Sequence, residues 1–387
     1  MKTRSSRRNF LTAGLALPVA GAASIARSPG AEAPRFRLAA AGEVKYRTLG
    51  KTGLKVSEVG FGCMLTSDPS VLEKAADLGI NFFDTARGYQ GGNNERMVGA
   101  ALKSKRKQVY ISTKTGARSK EEALEDLDTS LKELGTDYAD IWCLHSRNSA
   151  DQLTDELLEV QQNAKKAGKI RFAGISTHNL ANVMQAVIQG GKIDVVIFTY
   201  NFSMGDKLDQ AIKAGREAGI GLVAMKVMAG GFRRARQGQP LYDTLKREGA
   251  MAAALKWVLQ NREVHTTIPS MTDMDQLDEN LKTMGAPLTD TDRKVLAWQL
   301  EYITPLYCRM CGQCAGQCPQ GVPVADVLRY LTYAEGYGQF ALGRQHFLEL
   351  PEEVTRVRCD SCPGCTVKCP NGVRVAERLI RAQELFA

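Results

Sequence analysis

Residues 44–285 alternate between short apolar segments and helical segments, and this alternation restricts the fold more than any other feature of the chain. A short hairpin, from YRTLG to LKVSEVGFG, comes first. The apolar segments have the length of buried strands, whereas the segments between them carry apolar residues three and four positions apart. The predicted barrel strands are VSEVGFG, NFFDTA, VYISTK, YADIWCLH, IRFAGIST, VVIFTYN, GLVAMKV and TTIPS.

Eight strand–helix units in succession predict the α/β class and, within it, a (β/α)8 TIM barrel over residues 44–290. In such a barrel the active site lies at the C-terminal ends of the strands. Four polar side chains stand there: Asp84 ends the second strand, Tyr89 follows it, Lys114 ends the third strand and His145 ends the fourth. We therefore expect these side chains to converge on the mouth of the barrel.

These four residue types together can interconvert a carbonyl group and an alcohol. A tyrosine hydroxyl can donate a proton to a carbonyl oxygen while hydride reaches the carbon, but its unperturbed pKa of about 10 makes it a weak acid. We expect the Lys114 ammonium to lower the pKa of Tyr89, and Asp84 to keep Lys114 charged. We expect His145 to donate a hydrogen bond to the carbonyl oxygen. Each residue alone has a common structural role, but their joint occurrence in strand order indicates catalysis.

A cysteine motif occurs twice near the C-terminus with identical spacing, Cys-x-x-Cys-x-x-Cys-x-x-x-Cys-Pro. Three thiolates at intervals of three residues, with a fourth just before proline, are typical of a [4Fe–4S] cluster, so two copies predict two clusters. Residues 301–387 are accordingly predicted to form a mostly helical, ferredoxin-type domain. The predicted iron ligands are Cys308, Cys311, Cys314 and Cys318 in the first copy, and Cys359, Cys362, Cys365 and Cys369 in the second.

Disulfides and structural zinc are the alternatives for these cysteines. Disulfides suit small extracellular domains without a core, and zinc usually takes separated cysteine pairs, so the cluster interpretation is favoured. In two-cluster ferredoxins the fourth cysteine of each copy binds the other cluster, which would group Cys369 with the first copy and Cys318 with the second. The remaining cysteines, Cys63 and Cys143, lie in apolar strand-like segments and are predicted to be small buried hydrophobes.

The N-terminus is predicted to be an export signal and not part of the fold. Arg7 and Arg8 precede a mildly apolar, Ala/Gly-rich stretch, which is typical of a twin-arginine signal over residues 1–33. The twin-arginine route carries folded proteins, which agrees with a cofactor assembled before export, and it predicts a periplasmic or other extracytoplasmic location. A disordered basic tail is the alternative. No segment is long and apolar enough to predict a transmembrane span.

The charge of the chain does not indicate a nucleic-acid partner. The formal net charge is +9, but the first 33 residues hold five basic groups and one acidic group, which leaves +5 for the remainder. The densest basic segment in that remainder, Arg233, Arg234 and Arg236, lies in a Gly-rich stretch. It is predicted to be a solvated loop or a contact to a phosphorylated ligand.

The sequence from residue 44 to residue 285 resembles the aldo/keto reductase family, through YRTLGKTGLKVSEVGFG, NFFDTARGYQGGNNERMVGAAL, VYISTKT, DYADIWCLH, IRFAGIST and TIPSMTDMDQLDEN. The resemblance implies a catalytic tetrad of Asp84, Tyr89, Lys114 and His145, and reduction of an aldehyde or ketone by NADPH or NADH. The whole chain resembles the branch of this family that carries an appended 4Fe–4S domain. The cofactor-binding residues that the resemblance implies are Ser176, Lys226, Ser270, Gln276 and Asn280.

Several positions depart from the family pattern around the nicotinamide cofactor. Ile197 stands where the family often has Gln, and Met225 where an aromatic residue often stacks on the nicotinamide. Ser270, Asp273 and Gln276 replace basic residues that usually bind the 2′-phosphate, although Thr272 and Asp275 predict a helix N-terminal cap that could face a phosphate. The sequence therefore leaves NADP and NAD both possible.

Two functional hypotheses follow from these patterns. In the first, the chain is an oxidoreductase that acts on a small carbonyl or alcohol substrate, and its two clusters pass electrons to or from a redox partner protein. In the second, it is an iron–sulfur electron-transfer or binding protein whose barrel no longer uses a nicotinamide cofactor. The first is favoured because the tetrad is complete, and neither hypothesis involves nucleic acid.

Overall fold

The computed structural model describes residues 44–206, 208–230 and 249–387. The predicted twin-arginine signal and the basic segment Arg233, Arg234 and Arg236 lie outside the described residues. The barrel residues and the C-terminal residues belong to one compact unit.

Eight parallel strands form the central sheet, as the sequence predicts. Each strand pairs with the next in chain order, and single bridges from Val59 to Thr267 and from Gly62 to Ser270 close the first strand onto the last. The strands are β3 (Phe61–Gly62), β4 (Phe82–Asp84), β5 (Tyr110–Thr115), β6 (Ala139–Leu144), β7 (Ile170–Thr177), β8 (Val195–Thr199), β9 (Gly221–Met225) and β10 (Thr266–Thr267).

The segment VSEVGFG does not form one strand as predicted. Its first residues belong to an antiparallel hairpin, β1 (Tyr46–Thr48) and β2 (Lys55–Ser57), and only Phe61–Gly62 joins the barrel. Leu49, Leu54 and Val56 of the hairpin pack into the barrel interior, where they are almost fully buried. The division follows from packing, because a hairpin that fills one end of the barrel leaves only the last apolar residues to enter the sheet.

Helices follow the strands on the outside of the barrel. The helix Lys120–Leu134 shows why they form where predicted: Ser119 accepts a hydrogen bond from the Glu122 amide at one end, and Gly135 adopts a positive φ of 62° at the other. The helices of this part are α1 (Pro69–Asp77), α2 (Asn93–Leu102), α3 (Lys120–Leu134), α4 (Asp155–Lys166), α5 (Leu180–Gly190), α6 (Asp209–Glu217), α7 (Ala250–Gln260) and α8 (Met274–Leu281).

Two apolar layers stabilise the barrel. Ile141, Ile197 and Val223 fill its interior and are 0% exposed. A second layer, with Trp142 among its buried members, lies between the strands and the surrounding helices. Cys63 and Cys143 are both fully buried, which confirms their prediction as buried small residues.

The C-terminal region is helical, as predicted, and residues 304–387 contain no strand. Its first helix packs on α7 through an ion pair between Lys256 and Asp292 at 3.1 Å. None of the helices in the described ranges is both long and apolar enough for a bilayer crossing. The helices are α9 (Asp290–Ile303), α10 (Val324–Glu335), α11 (Phe340–Leu348), α12 (Glu352–Thr355) and α13 (Val375–Phe386).

Candidate active site and iron–sulfur ligands

The barrel brings the four predicted tetrad residues together. Asp84 ends β4, Lys114 lies in β5, and His145 directly follows β6, while Tyr89 begins a short 3₁₀ turn after β4. Because β4, β5 and β6 are adjacent and parallel, their C-terminal ends present these side chains at one mouth.

Lys114 and Asp84 form a buried ion pair beneath the mouth. Lys114 Nζ donates hydrogen bonds to Asp84 Oδ2 and to the Thr85 carbonyl oxygen, both at 2.6 Å. Burial alone would lower the pKa of Lys114, but the charge and hydrogen bond of Asp84, together with Tyr89 and Cys143, outweigh burial and raise this pKa above its usual value. Lys114 is therefore held as a cation in a fixed position.

Tyr89 lies between the ammonium of Lys114 and the ring of His145. Lys114 Nζ is 5.1 Å from the centroid of the Tyr89 ring, and the Tyr89 and His145 rings meet edge to face at 6.0 Å between centroids. Burial raises the pKa of Tyr89 to about 12, and the charge of Lys114 opposes this rise without cancelling it. Lys114 therefore lowers the pKa of Tyr89 as predicted, but desolvation outweighs the ammonium and the net shift is upward.

Side-chain contacts of Arg87 and Gln90 hold the turn that carries Tyr89 in place. Arg87 pairs with the buried carboxylate of Glu95, which also accepts a hydrogen bond from Thr113 Oγ1 at 2.6 Å. Gln90 Nε2 donates to the Thr66 carbonyl oxygen at 2.7 Å. Gln90 adopts a positive φ of 52°, which non-glycine residues rarely do, so the turn is held in one strained conformation.

His145 is neutral and oriented by the strand beside it. Burial first, and then the positive charges of Lys114, Arg329, Lys226 and Arg147, lower its pKa well below the usual value. Ser176 Oγ accepts a hydrogen bond from the Ser146 amide at 2.9 Å. Ser176, which was predicted to bind cofactor, thus positions the residue after His145.

Helix α10 of the C-terminal region lies against the mouth of the barrel, which the sequence did not predict. Lys226 Nζ, just after β9, is 4.9 Å from the ring centroid of Tyr333 and 5.3 Å from that of Tyr337. Burial raises the pKa of Tyr337 well above its usual value, and the nearby phenols of Tyr307, Tyr333 and Tyr89 raise it further. Tyr337 therefore lies within electrostatic range of Tyr307, Tyr333 and the tetrad residue Tyr89, and its ring stacks on that of Tyr333.

Three other predicted cofactor-binding residues lie at or near helix α8. Its N-cap is Asp273, not Thr272 as predicted: Asp273 Oδ1 accepts from the Gln276 amide at 2.8 Å, and Gln276 Nε2 donates to Thr272 Oγ1 at 2.9 Å. Ser270 bridges to Gly62 where the barrel closes. Asn280 is 1% exposed, and its Oδ1 has no hydrogen-bond partner among the described residues.

These residues fit a nicotinamide cofactor poorly at its phosphate end. The Asp273 carboxylate occupies the positive end of α8, where a phosphate would otherwise bind, and the Gln276 amide is used within the cap. Ile197, as the sequence indicated, is buried in the barrel core. The tetrad is thus complete, whereas the groups that hold a dinucleotide are largely engaged elsewhere.

The cysteines of the C-terminal region gather in two groups that combine both copies of the motif. Beyond the effect of burial, the pKa of Cys308 is raised by the neighbouring thiols of Cys314, Cys311 and Cys369. The Met310 amide donates to Cys308 Sγ at 3.4 Å, and Asn371 Nδ2 donates to Cys311 Sγ at 3.4 Å. Such N–H donors stabilise cluster thiolates.

The second group lines a cavity of about 410 Å³. Cys318 and the second copy's Cys359, Cys362 and Cys365 all border this cavity. Burial and then the thiols of Cys318, Cys365 and Cys362 raise the pKa of Cys359. Both groups therefore have the donor set of an interleaved two-cluster domain.

These thiols are not close enough together to hold a single metal ion. In the described part of the chain, no three His, Cys, Asp or Glu side chains approach closely enough to hold a single metal ion. A [4Fe–4S] cube separates its ligands farther, because each thiolate binds a different iron at a different corner.

Two contacts join the first cysteine group to the barrel. Asn179, at the start of α5, donates from Nδ2 to the Cys311 carbonyl oxygen at 3.3 Å. Asn201, after β8, donates from Nδ2 to the hydroxyl oxygen of Tyr307 at 3.3 Å, and Tyr307 directly precedes Cys308. The first cysteine group is therefore attached to the same end of the barrel as the tetrad.

Comparison with known proteins agrees with this geometry. Residues 66–297 match the model for the aldo/keto reductase family, and residues 307–374 match that for a 4Fe-4S dicluster domain.

Uncharacterized oxidoreductase YqkF of Bacillus subtilis is 28% identical over 65% of this chain and 95% of its own. L-galactose dehydrogenase of Arabidopsis thaliana is 29% identical over 62% of this chain and 88% of its own. Aldo-keto reductase AKR11C1 from Bacillus halodurans, in its holo form, superposes with a TM-score of 0.57 at 29% identity, covering 66% of this chain and 96% of that one.

Proposed function

Because the chain belongs to the aldo/keto reductase family and carries a 4Fe-4S dicluster domain, we propose that its barrel interconverts a small alcohol and its carbonyl compound. The hydrogen of the carbinol carbon passes as hydride to a two-electron carrier of the nicotinamide, flavin or quinone class. The clusters then pass the electrons of that carrier, one at a time, to or from a redox partner protein. Oxidation of the alcohol releases two electrons and two protons, and carbonyl reduction consumes the same number. When bound, each [4Fe–4S] cluster takes up or releases one electron, so two clusters match the electron count of one turnover.

The tetrad residues transfer a proton to or from the carbonyl oxygen and orient the substrate. Tyr89 gives the carbonyl oxygen one proton on reduction and takes it back on oxidation, and Lys114 stabilises the phenolate that remains. Neutral His145 donates a hydrogen bond to the same oxygen. Asp84 keeps Lys114 charged through the 2.6 Å ion pair. The second proton exchanges with solvent at the partly exposed mouth.

The single observation that carries the proposal is the placement of Tyr307. Its hydroxyl oxygen accepts a hydrogen bond from Asn201 Nδ2, which also donates to the carbonyl oxygen of Lys226 at the barrel mouth, and the next residue along the chain is Cys308. A short path therefore connects the carbonyl site to the first cysteine group. The second group, with Cys362 and Cys365 exposed, presents more exposed cysteines to a partner protein than the first, in which Cys311 is exposed.

A second candidate function is electron transfer or binding without nicotinamide turnover. It is favoured by the Asp273 carboxylate at the start of α8, which opposes a cofactor phosphate. Calorimetric titration with NADH and NADPH distinguishes the two hypotheses for the cofactor. Tight binding of either cofactor would argue against this candidate. Absence of binding would support it, because the clusters would then be the electron carriers of the chain.

We also propose that the chain is exported by the twin-arginine route, since Arg7 and Arg8 precede an apolar, small-residue stretch. Replacing both arginines by lysine is expected to keep the protein in the cytoplasm with its iron content intact. Fractionation that finds the double variant still exported would contradict this route.

The main experiment measures carbonyl reduction by the anaerobically purified, cluster-loaded protein with reduced methyl viologen as the electron donor. The viologen supplies single electrons to the clusters, and assays with and without added NADH, NADPH or flavin identify the hydride carrier. Methylglyoxal, pyruvate and L-galactonolactone serve as test carbonyl compounds, and L-galactose with oxidised viologen tests the reverse direction. Tyr89→Phe is expected to lower the rate by about 100-fold or more. A variant as active as the parent would contradict the assignment of Tyr89.

A further inference from the structure

Lys226 contributes a positive charge to the mouth of the barrel that the tetrad chemistry does not use. Its backbone adopts a φ of 56°, a strained conformation for a non-glycine residue. Its carbonyl oxygen accepts a hydrogen bond from Asn201 Nδ2 at 3.0 Å, which helps to hold this conformation. Its ammonium lies against the rings of Tyr333 and Tyr337, and no carboxylate pairs with it within the described ranges.

Arg329 brings a second positive charge to the same region from helix α10. One of its nitrogens, Nη2, pairs with Asp326 at 2.9 Å. Its Nε is buried and finds no hydrogen-bond partner among the described residues. The guanidinium therefore keeps a buried donor that an incoming oxygen atom could satisfy.

These two charges share one region, because Arg329 lies one helical turn before Tyr333 on α10, and Lys226 Nζ is 4.9 Å from the centroid of the Tyr333 ring. Lys226 and Arg329 both contribute, after burial, to lowering the pKa of His145 and of His178. His178 is 7% exposed, and its Nδ1 has no partner in the described part of the chain. Neutral imidazoles do not compensate a positive charge, so the region beside the tetrad is electropositive.

We propose that Lys226 and Arg329 bind a carboxylate group of the substrate, so that the site acts on a short oxo acid and the corresponding hydroxy acid. This inference rests on the proposed function and names its substrate class. Within the described ranges Lys226 has no counterion and Arg329 Nε has no acceptor, and a carboxylate supplies both the negative charge and the acceptor atoms. The reaction is then hydroxy acid to oxo acid, with the release of two electrons and two protons.

The aromatic side chains strengthen this interaction. Tyr333 and Tyr337 stack at 5.9 Å between ring centroids and cover the ammonium of Lys226. A site covered by aromatic rings excludes water, and a charge–charge contact in such a site is stronger than one in solvent. Since Arg329, Tyr333 and Tyr337 all come from the C-terminal region, the barrel alone would lack most of this subsite.

The ionisation of Lys226 gives the proposal a second observable consequence. Burial, and then the charge of Arg329, lower the pKa of Lys226 to about 7, so above this pH the unliganded site holds mainly the neutral amine. A bound carboxylate favours the ammonium, so binding at pH 8 takes up a proton. The other groups that face Lys226 do not change charge at pH 8: His145 and His178 have lowered pKa values, and Tyr333, Tyr337 and Arg329 have raised ones.

The test is calorimetric binding at pH 8 to the full, cluster-loaded chain under anaerobic conditions. The probes are oxamate, an unreactive mimic of a short oxo acid, and ethyl oxamate, its uncharged ester. The parent is expected to bind oxamate at least about 10-fold more tightly than the ester. Titrations in two buffers of different ionisation enthalpy are expected to show proton uptake with oxamate.

The variants separate charge recognition from a structural role. Lys226→Met and Arg329→Gln are each expected to weaken oxamate binding about 10-fold or more, and Lys226→Arg is expected to retain it. Lys226→Met should also abolish the proton uptake. Lys213→Met, at an exposed position of α6, is the matched control and should behave as the parent. Unchanged affinity for the ester shows that each variant is folded.

Several results would overturn the proposal. These are the absence of detectable oxamate binding to the parent, ester binding as tight as oxamate binding, or unchanged oxamate binding in Lys226→Met. Inorganic phosphate binding more tightly than oxamate would overturn the choice of a carboxylate. Tyr89→Phe distinguishes this inference from the proposed function, because the variant should lose turnover and still bind oxamate more tightly than the ester.

Discussion

Asn201 donates a hydrogen bond from its side-chain amide to the hydroxyl oxygen of Tyr307, and the two atoms are 3.3 Å apart. The same nitrogen donates to the Lys226 carbonyl oxygen at 3.0 Å. Asn201 is fully buried and Tyr307 is 3% exposed. One buried amide thus joins the strained residue at the barrel mouth to the residue that precedes Cys308.

Asn201→Ala is expected to destabilise the protein by about 2 kcal/mol, because it leaves the buried hydroxyl of Tyr307 and the carbonyl of Lys226 with a partner fewer. Anaerobic denaturant unfolding, followed by fluorescence, measures the change in the free energy of unfolding. Asn182→Ala, at an exposed position of α5, is the matched control and should differ from the parent by less than about 0.5 kcal/mol. Equal stability of the two variants would show that this junction contributes little.

Lys114→Met is expected to destabilise the protein by about 3 kcal/mol or more, because it leaves the Asp84 carboxylate buried without its counterion. Adding Asp84→Asn should restore part of this loss, since the remaining group is then uncharged. A double-mutant cycle with Lys114→Met, Asp84→Asn and the combined variant measures the interaction energy. Strict additivity of the two single effects would contradict a buried charged pair.

The cysteine grouping predicts which variants lose the same cluster. Cys369→Ser and Cys311→Ser should remove one cluster, and Cys318→Ser and Cys362→Ser the other, because each pair lies in one group of thiols. Electron paramagnetic resonance of the reduced, anaerobic variants compares the surviving signals. If Cys369→Ser gives the spectrum of Cys362→Ser, each copy of the motif binds its own cluster and the interleaved grouping is wrong.

Acid is expected to weaken the fold through His265. Its Nδ1 accepts a hydrogen bond from the Leu222 amide at 2.9 Å. Burial, and then the charge of Arg216, lower the pKa of His265 to about 4. The folded-state pKa lies below the unfolded value of about 6.5, so the stability from neutral His265 is fully present above that pH and is lost as the pH falls toward 4.

Protonation of His265 alone should lower the free energy of unfolding by about 1 kcal/mol between pH 7.5 and pH 5.5. In His265→Asn the amide oxygen can replace Nδ1 as the acceptor without titrating, so the pH dependence should decrease by that amount. His346→Asn, on the surface helix α11, is the control and should keep the slope of the parent. Samples are matched for iron content. An unchanged slope in His265→Asn would contradict this assignment.

The sequence was sufficient to predict the barrel, its helices and the tetrad, because period and strand order are local properties. It was also sufficient for the cysteines, because their spacing is set by the cluster. It failed at VSEVGFG, where three-dimensional packing divides one apolar segment between the hairpin and β3. It also failed at Thr272, because Asp273 competes for the same cap and has the better geometry.

The segments of the C-terminal region that cover the mouth of the barrel could not be predicted from local sequence patterns. Arg329 and Tyr333 lie on a helix whose sequence shows only an ordinary amphipathic pattern, and Tyr337 lies in the turn after it. Lys226 is about a hundred residues away along the chain. The contact between them depends on how the C-terminal region packs on the barrel. The net upward shift of the Tyr89 pKa could not be predicted either, because it comes from burial, and burial depends on how the chain packs around the mouth.

The most direct test of a barrel and clusters that act together is methyl viologen-driven carbonyl reduction by Cys311→Ser. This change removes a thiolate from the group nearest Tyr307 and leaves the tetrad intact. The account predicts a loss of activity of about 100-fold or more, with the barrel still folded and the other cluster still present. Activity equal to that of the parent would contradict it, because electrons would then reach the carbonyl without the first cluster.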